Sequence, residues 1–199
     1  MKANVGMRYT VAAPVDTYTP YSGITYGTGY VVSEARGANI NWETEQGEFR
    51  GDDVVLDSAV GILGYTLEVE TAGLKDGVRA NLLGETKDSS DVYHITGANP
   101  PDVGFGYVKQ MREDGTGGAV VTTWDVFWYH KLKFGQPNEE ARTKERNMEW
   151  RVPTITGTGA GVFLTANQEE ADFAEHKSFS SFSAAKTFLN TLAGISATT

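Results

Sequence analysis

A mostly β fold with one or two packed helices is the class this sequence predicts, on three observations. Apolar and polar residues alternate over several long stretches, which is the period of a half-buried strand. Glycine is abundant, at 23 of 199 residues, and most of it falls between apolar runs as turn residues do. Only two short stretches carry apolar residues at helical spacing.

The elements follow in order. "ANINWETE" sets Ala38, Ile40, Trp42 and Thr44 on one strand face and Asn39, Asn41, Glu43 and Glu45 on the other. "LGYTLEVE" repeats the pattern, with Leu63, Tyr65, Leu67 and Val69 inward and Gly64, Thr66, Glu68 and Glu70 outward. Between them, residues 46–57 read as a charged, glycine-punctuated loop, too long for a tight hairpin turn. "TAGLKDGVRANLLGE" predicts a helix on the spacing of Leu74, Val78 and Leu82, with Thr71 as its cap and Gly84 as its stop. A polar loop with one short strand then runs to Pro100-Pro101.

"VGFGYVKQMR" and "VVTTWDVFWYHKLKF" flank turn residues Asp114-Gly115 and Gly117-Gly118, which predicts one long hairpin over 103–134. The second strand would extend about 50 Å at about 3.3 Å per residue, so a bulge or bend is expected between Thr122 and Lys133. "MEWRVPTITGTG" predicts another strand, and "GTGAGV" (157–162) a β-turn. That last stretch imitates a dinucleotide loop, but its third glycine is misplaced and no strand-to-helix unit surrounds it. A helix over 181–193 is predicted from the stripe Phe182, Ala185, Phe188, Leu189 and Leu192, capped by Ser181 or Ser183 and ended by Gly194. No repeat or second boundary divides residues 1–199, so a single domain is expected.

Composition narrows the chemistry. Hydrophobic content of 40% with 22% charged is that of a soluble globular chain, long enough to bury roughly 70% of its unfolded surface. Cysteine is absent, which removes disulfides and thiolate metal sites. "MKANVGMRYT" lacks a signal-peptide core, and no stretch approaches the roughly 20 apolar residues of a membrane span. A net charge of −9 argues against sequence-reading contact with nucleic acid, which needs cations to neutralise phosphates.

The search for a reactive site returns little. His94, His130 and His176 are far apart, and His130 sits in an apolar row where a core histidine is the better reading. No serine lies in a nucleophile elbow. Asp52, Asp53 and Asp57 fall short of the six or more oxygens of a hard-cation site. Glu139 and Glu140, as neighbours on a strand, would point to opposite faces and make a poor acid pair. The charge run Glu139–Arg146 reads as a solvated loop or a salt-bridging contact with a neighbour. No catalytic residue, cofactor or metal is expected.

Two surfaces are more informative. Glu43, Glu45, Glu68 and Glu70 line the wet faces of two strands expected to lie close together; this is either a solubility surface or one that repels polyanions. The 120–134 strand is apolar on both faces, since Val121, Phe127 and Tyr129 alternate with Trp124, Val126 and Trp128. One terminal helix covers one face, so a partner chain is expected to cover the other. The interface candidates are Val121, Phe127, Tyr129 and Lys131, with Phe105 and Tyr107 of the facing strand.

In this order the segments resemble the major tail protein family of long-tailed, non-contractile phages, the subunits of the tail tube. The likeness lies in "ANVGMRYTVAAPV", "TYGTGYVV", "GDDVVLDS", "LEVETAGLKDGVRANLLG" and "PDVGFGYVKQMREDGT". It continues in "FWYHKLKFGQPNEEARTKERNMEWRVPTITGT" and closes with a helix ending "LNTLAGI", so it spans nearly the whole chain. "FLTANQEEADFAEHKSFSS" (163–181) departs from the pattern by being longer and more acidic. The resemblance implies a β-sandwich or partial barrel with flanking helices, whose sheet is completed across subunits into a ring barrel. Rings, hexameric in number, would stack into a hollow conduit for the genome in the virion tail, made in the host cytoplasm. It further implies contacts with tail tip, tail terminator and tape measure proteins, passage of genomic DNA without specific binding, and no membrane and no enzymatic activity.

Carried over, Glu43, Glu45, Glu68 and Glu70 become lumen candidates, and residues 46–57, with Phe49, Arg50, Asp52 and Asp53, become an inter-ring loop. Two other readings remain: the tube subunit of a bacterial contractile secretion system, and a glycan-binding β-sandwich that uses Tyr18, Tyr21 and Tyr26 as stacking platforms.

Overall fold

The computed structural model describes residues 2–32, 35–51, 54–71, 73–97, 99–114, 120–137 and 153–196. The strands are β1 (Lys2–Thr19), β2 (Gly23–Tyr26), β3 (Tyr30–Val31), β4 (Ala35–Gly51) and β5 (Val54–Thr71), followed after helix α1 (Asp76–Leu83) by β6 (Thr86–Lys87) and β7 (Tyr93–His94). Then come β8 (Val103–Asp114), β9 (Val120–Phe134), β10 (Thr154–Gly159), β11 (Ala174–Phe179) and helix α2 (Phe182–Leu192). The fold is mostly β, as predicted. Its main sheet is antiparallel in the order β2-β1-β8-β9-β10-β5-β4, with β3 also pairing β1 and β11 also pairing β9. Among the described residues the sheet does not close into a barrel: there β4 pairs with β5 alone.

Strand β9 is buried on both faces by its own chain. On one face Tyr129, opposite Phe105, lies in a core with Ala12, Tyr65, Leu67 and Val69, and Phe127 packs at its margin. On the other, Val126 and Trp128 pack with Val11, Val108, Ala185 and Leu189 beneath α2. The predicted bulge is present: pairing with β8 shifts between Tyr129 and Leu132. It reverses the alternation, so Leu132 and Phe134 join the face of Tyr129 rather than that of Trp128.

The predicted partner chain is therefore not what covers this face. Phe105, Tyr107 and Tyr129, named as interface candidates, are buried inside the monomer at 0, 8 and 3% exposure. The sheet curls so that β10 and β5 bring Ile155, Tyr65, Leu67 and Val69 over it, and α1 adds Leu82 and Leu83. Each fully buried large side chain contributes roughly 1.5–3 kcal/mol. Strand periodicity shows that a face is apolar; it does not show which part of the chain returns to cover it.

Other expectations are met or corrected locally. The predicted 103–134 hairpin forms as β8 and β9. Helix α2 is capped by Ser181, whose hydroxyl accepts from the Ala184 N–H, and buries Ala185 and Leu189. Helix α1 ends at Gly84 in the left-handed conformation (φ 74°), as expected, but starts later than predicted. Thr71 is no cap: it ends β5, buried, with its N–H donating to the Pro153 carbonyl.

The segment 46–57 is not a long irregular loop. β4 and β5 stay paired out to Gly51 and Val54. Gly157–Gly159 is strand, not turn, paired between β5 and β9, and position 159 is glycine because a Cβ there would collide with the Tyr65 ring. The divergent 163–181 stretch is anchored by the Val162–Asp172 bridge and by β11 against β9. The run Glu139–Arg146, with Glu139 and Glu140, lies outside the described residues. Among the described residues, no helix is long and apolar enough to cross a membrane.

His130 sits in the bulge at 2% exposure, a core histidine as expected. Its backbone carbonyl accepts from the Tyr26 hydroxyl at 2.9 Å, its Nδ1 is 3.5 Å from that hydroxyl, and its Nε2 has no partner. Burial holds its pKa below the ordinary 6.5, against a weaker upward pull from Glu175 and Asp172. The unfolded chain thus takes up this proton first as pH falls. Stability carried by neutral His130 is complete above pH 6.5 and is lost as pH drops from there towards the folded value. His130→Gln is expected to flatten the fall of the melting temperature between about pH 7 and pH 5, read by thermal denaturation across that range.

Candidate assembly surface

The outer face of β4, β5 and β10 is polar because the residues alternating with their core positions are Asn39, Asn41 and Glu43, then Thr66, Glu68 and Glu70, then Thr154, Thr156 and Thr158. Glu43, Glu45 and Glu70 are exposed and Glu68 is half-buried. The four carboxylates share one face, as expected, but register keeps them from opposing one another. Glu68 stands between Asn39 and Thr156, Glu70 between Gly37 and Thr154, and Glu43 and Glu45 face Gly64 and Gly61. Cross-strand repulsion is thereby avoided, and the Asn39 amide reaches Glu68 at 3.5 Å. Gly37, Ala38, Asn39, Glu68, Glu70 and Thr154 line a shallow cleft there.

Beside this face runs an open edge. Among the described residues β4, 17 residues long, pairs along one side only, which leaves a row of backbone groups without a strand partner on the other. Its partner β5 has a bulge opposite Glu43 and Thr44, so Leu63 is turned out at 61% exposure rather than inward as predicted. Ile62 and Val60 are exposed too, at 48 and 64%. Ile62 and Val60 stand opposite Thr44 and Gln46, and their exposure was missed from sequence. The signal was the run "AVGIL" (59–63), of which alternation assigned Leu63 alone, to the core.

The remaining candidates are dispersed. Val121 is exposed at 46% near the distal end of the β8–β9 hairpin. Half-buried Phe127 is stacked between Tyr107 at 5.5 Å and His176 at 4.6 Å, so it is not a free interface residue. Lys131 lies 4.8 Å from the Tyr18 ring and 3.6 Å from Asp102. Phe49 and Arg50 are β4 residues near the tip, paired with Asp57 and Val55, but their side chains lie outside the described residues, as do Asp52 and Asp53 altogether. The side chain of Asp57 is likewise outside them.

One polar cluster could be mistaken for a catalytic triad. Asp125, 4% exposed, accepts from Ser178 Oγ at 2.6 Å and from Lys2 Nζ at 2.8 Å, with His176 Nε2 3.6 Å away. Serine and histidine both address the carboxylate instead of each other, so no base is placed to activate the hydroxyl. The cluster ties the start of β1 and the middle of β11 to β9. Burial opposes ionisation of Asp125, but hydrogen bonds from Lys2 and Ser178 outweigh it and hold the carboxyl below its usual range.

No protein-family model matches this chain, and no curated protein matches it either.

Asp125→Asn is expected to cost about 1–3 kcal/mol at neutral pH, since it leaves Lys2 without its charged partner. Because the folded pKa is depressed, this stability is present above 3.8 and fades as pH falls through the folded value. Denaturant unfolding of both proteins at neutral and acidic pH checks this, with the two curves converging in acid.

Proposed function

We propose that this chain is a structural subunit that assembles with copies of itself into stacked rings around a hollow conduit, the tail tube of a long-tailed phage. The observation that carries the proposal is the open edge of β4 beside an acidic face. An antiparallel sheet that ends in a long strand with an unpaired outer edge gains backbone hydrogen bonds when a neighbouring copy continues it, and a ring of copies removes the edge altogether. The exposed Val60, Ile62 and Leu63 lie on β5, the partner of that strand, and give the contact an apolar component.

The resemblance in segment order supports the same reading. The buried face of β9 plays no part in it, and Phe105, Tyr107 and Tyr129 are not contact residues. Glu43, Glu45, Glu68 and Glu70 would face the conduit. Within a Debye length of about 10 Å their charge keeps a DNA duplex in solvent and lets it pass. The β4–β5 hairpin, paired out to Gly51 and Val54, would supply the contact to the next ring. On this reading the protein has no catalytic role.

Negative-stain microscopy of the purified chain is expected to show rings or tubes, and Ile62→Asp with Leu63→Asp to leave monomers of unchanged melting temperature, because both side chains are exposed. A parent chain that stays monomeric at high concentration overturns the reading. Reversing Glu68 and Glu70 to Lys is expected to slow genome delivery more than it impairs tube formation, measured by infection kinetics alongside microscopy. If neither changes, these residues do not face the DNA.

A further inference from the structure

Two short turns meet at one end of the molecule. The turn joining β1 to β2 carries Tyr21, and the segment after β10 carries Phe163. The Tyr21 N–H donates to the Phe163 carbonyl at 2.9 Å, and the Phe163 N–H donates to the Tyr18 hydroxyl at 3.0 Å. The following turn is knitted by Gln168, whose Oε1 accepts from the N–H groups of Leu164 and Thr165 while its Nε2 donates to the Glu170 carbonyl. Both turns are thus held by hydrogen bonds to groups beyond their own.

Tyr21 adopts φ 63°, a left-handed conformation that a bulky side chain enters only at a cost, although Gly23 lies two residues on at φ 126°. Glycine or asparagine at position 21 would form the turn with less strain. The tyrosine contributes a ring instead. That ring rests on Phe163, centroids 4.8 Å apart and tilted by 32°, while the residue remains 50% exposed. An aromatic ring supported from below and open above is a stacking platform that loses little freedom when a ligand settles on it.

The rim selects the ligand. No side chain from Thr19 to Ser22 or from Phe163 to Gln168 is formally charged, in a chain with 22% charged residues. Along the chain the rings are flanked by Thr19, Ser22, Thr165 and Asn167, which carry hydroxyl and amide groups and are all exposed. A polyanion needs cations here, and the nearby Lys131 and Lys133 already approach Asp102 at 3.6 and 3.8 Å. A specific protein interface takes roughly 20–30 residues from each partner, more than these two short turns hold. We propose that Tyr21 and Phe163 form a binding platform for a neutral hexopyranose glycan, whose C–H face stacks on Tyr21 and whose hydroxyls meet the uncharged rim. Tyr18 and Tyr26 take no part: Tyr18 is engaged by Phe163 and Lys131, and Tyr26 is packed edge-on against Trp128 at 5.1 Å.

The test titrates the purified chain with short neutral oligomers of glucose, galactose and N-acetylglucosamine, followed by tyrosine fluorescence and NMR. Saturable binding to at least one is expected. Tyr21→Gly should weaken it by about tenfold or more, equivalent to about 1.4 kcal/mol, while raising the melting temperature by relieving the strained turn. Tyr21→Phe should bind as the parent does. Absence of saturable binding to all three, or unchanged binding by Tyr21→Gly, overturns the proposal. So does stronger binding of heparin or single-stranded DNA at the same ring. Loss of rings or tubes in Tyr21→Gly with no effect on sugar binding would assign the ring to a contact between copies, and would equally overturn it.

Discussion

Burial of β9 on both faces is the constraint on which the rest of this structure depends. One face packs Val126 and Trp128 under α2, and the other packs Tyr129 beneath the curled β10–β5 limb. A strand so apolar has to sit between two layers. The bulge after Tyr129 makes this compatible with one continuous strand. It redirects Leu132 and Phe134 into the same core as Tyr129 and releases β9 from β11 to pair with β10. Aromatic contacts between Tyr65, Tyr129 and Phe173 tie the two limbs together at 5.3 and 6.2 Å.

This arrangement decides which surfaces remain for function. The inner faces of both limbs are consumed by the core, as are the most apolar residues. What faces outward among the described residues is polar and acidic along β4, β5 and β10, with a free edge and the exposed Val60, Ile62 and Leu63 beside it. The proposed assembly through that edge would rely on backbone hydrogen bonds, which any strand offers, while the side chains next to it would set which neighbour is accepted. Charge on the flat face then serves what lies opposite it rather than the contact itself. On the proposed function, the stability of the subunit and its assembly would rest on different residues and vary independently.

Strain appears where packing does not need it. Tyr9 also takes positive φ, at a shift in the pairing of β1 with β8, but its ring is engaged: the hydroxyl donates to Asn190 at 2.7 Å and Lys186 lies over it. Tyr21 has the same backbone conformation with half its surface in solvent. The contrast separates a strained residue repaid by internal contacts from one whose ring stays half exposed, the site of the proposed platform.

Much of the architecture was legible in the chain. Alternation over 38–45 and 63–70, turn residues around 115–118, and the stripe from Phe182 to Leu192 determined the strands, the hairpin and the terminal helix, because each signal is local. The four outward glutamates follow from the same period-two rule. Only the tertiary structure decided what covers β9, where the bulges reset alternation for Leu63, Leu132 and Phe134, and that Gly157–Gly159 belongs to a strand pressed against Tyr65. Nor could spacing show that Phe163 would come to lie under Tyr21. These are meetings of residues distant along the chain, and a period of two or 3.6 residues records which face a side chain takes, not what it encounters there.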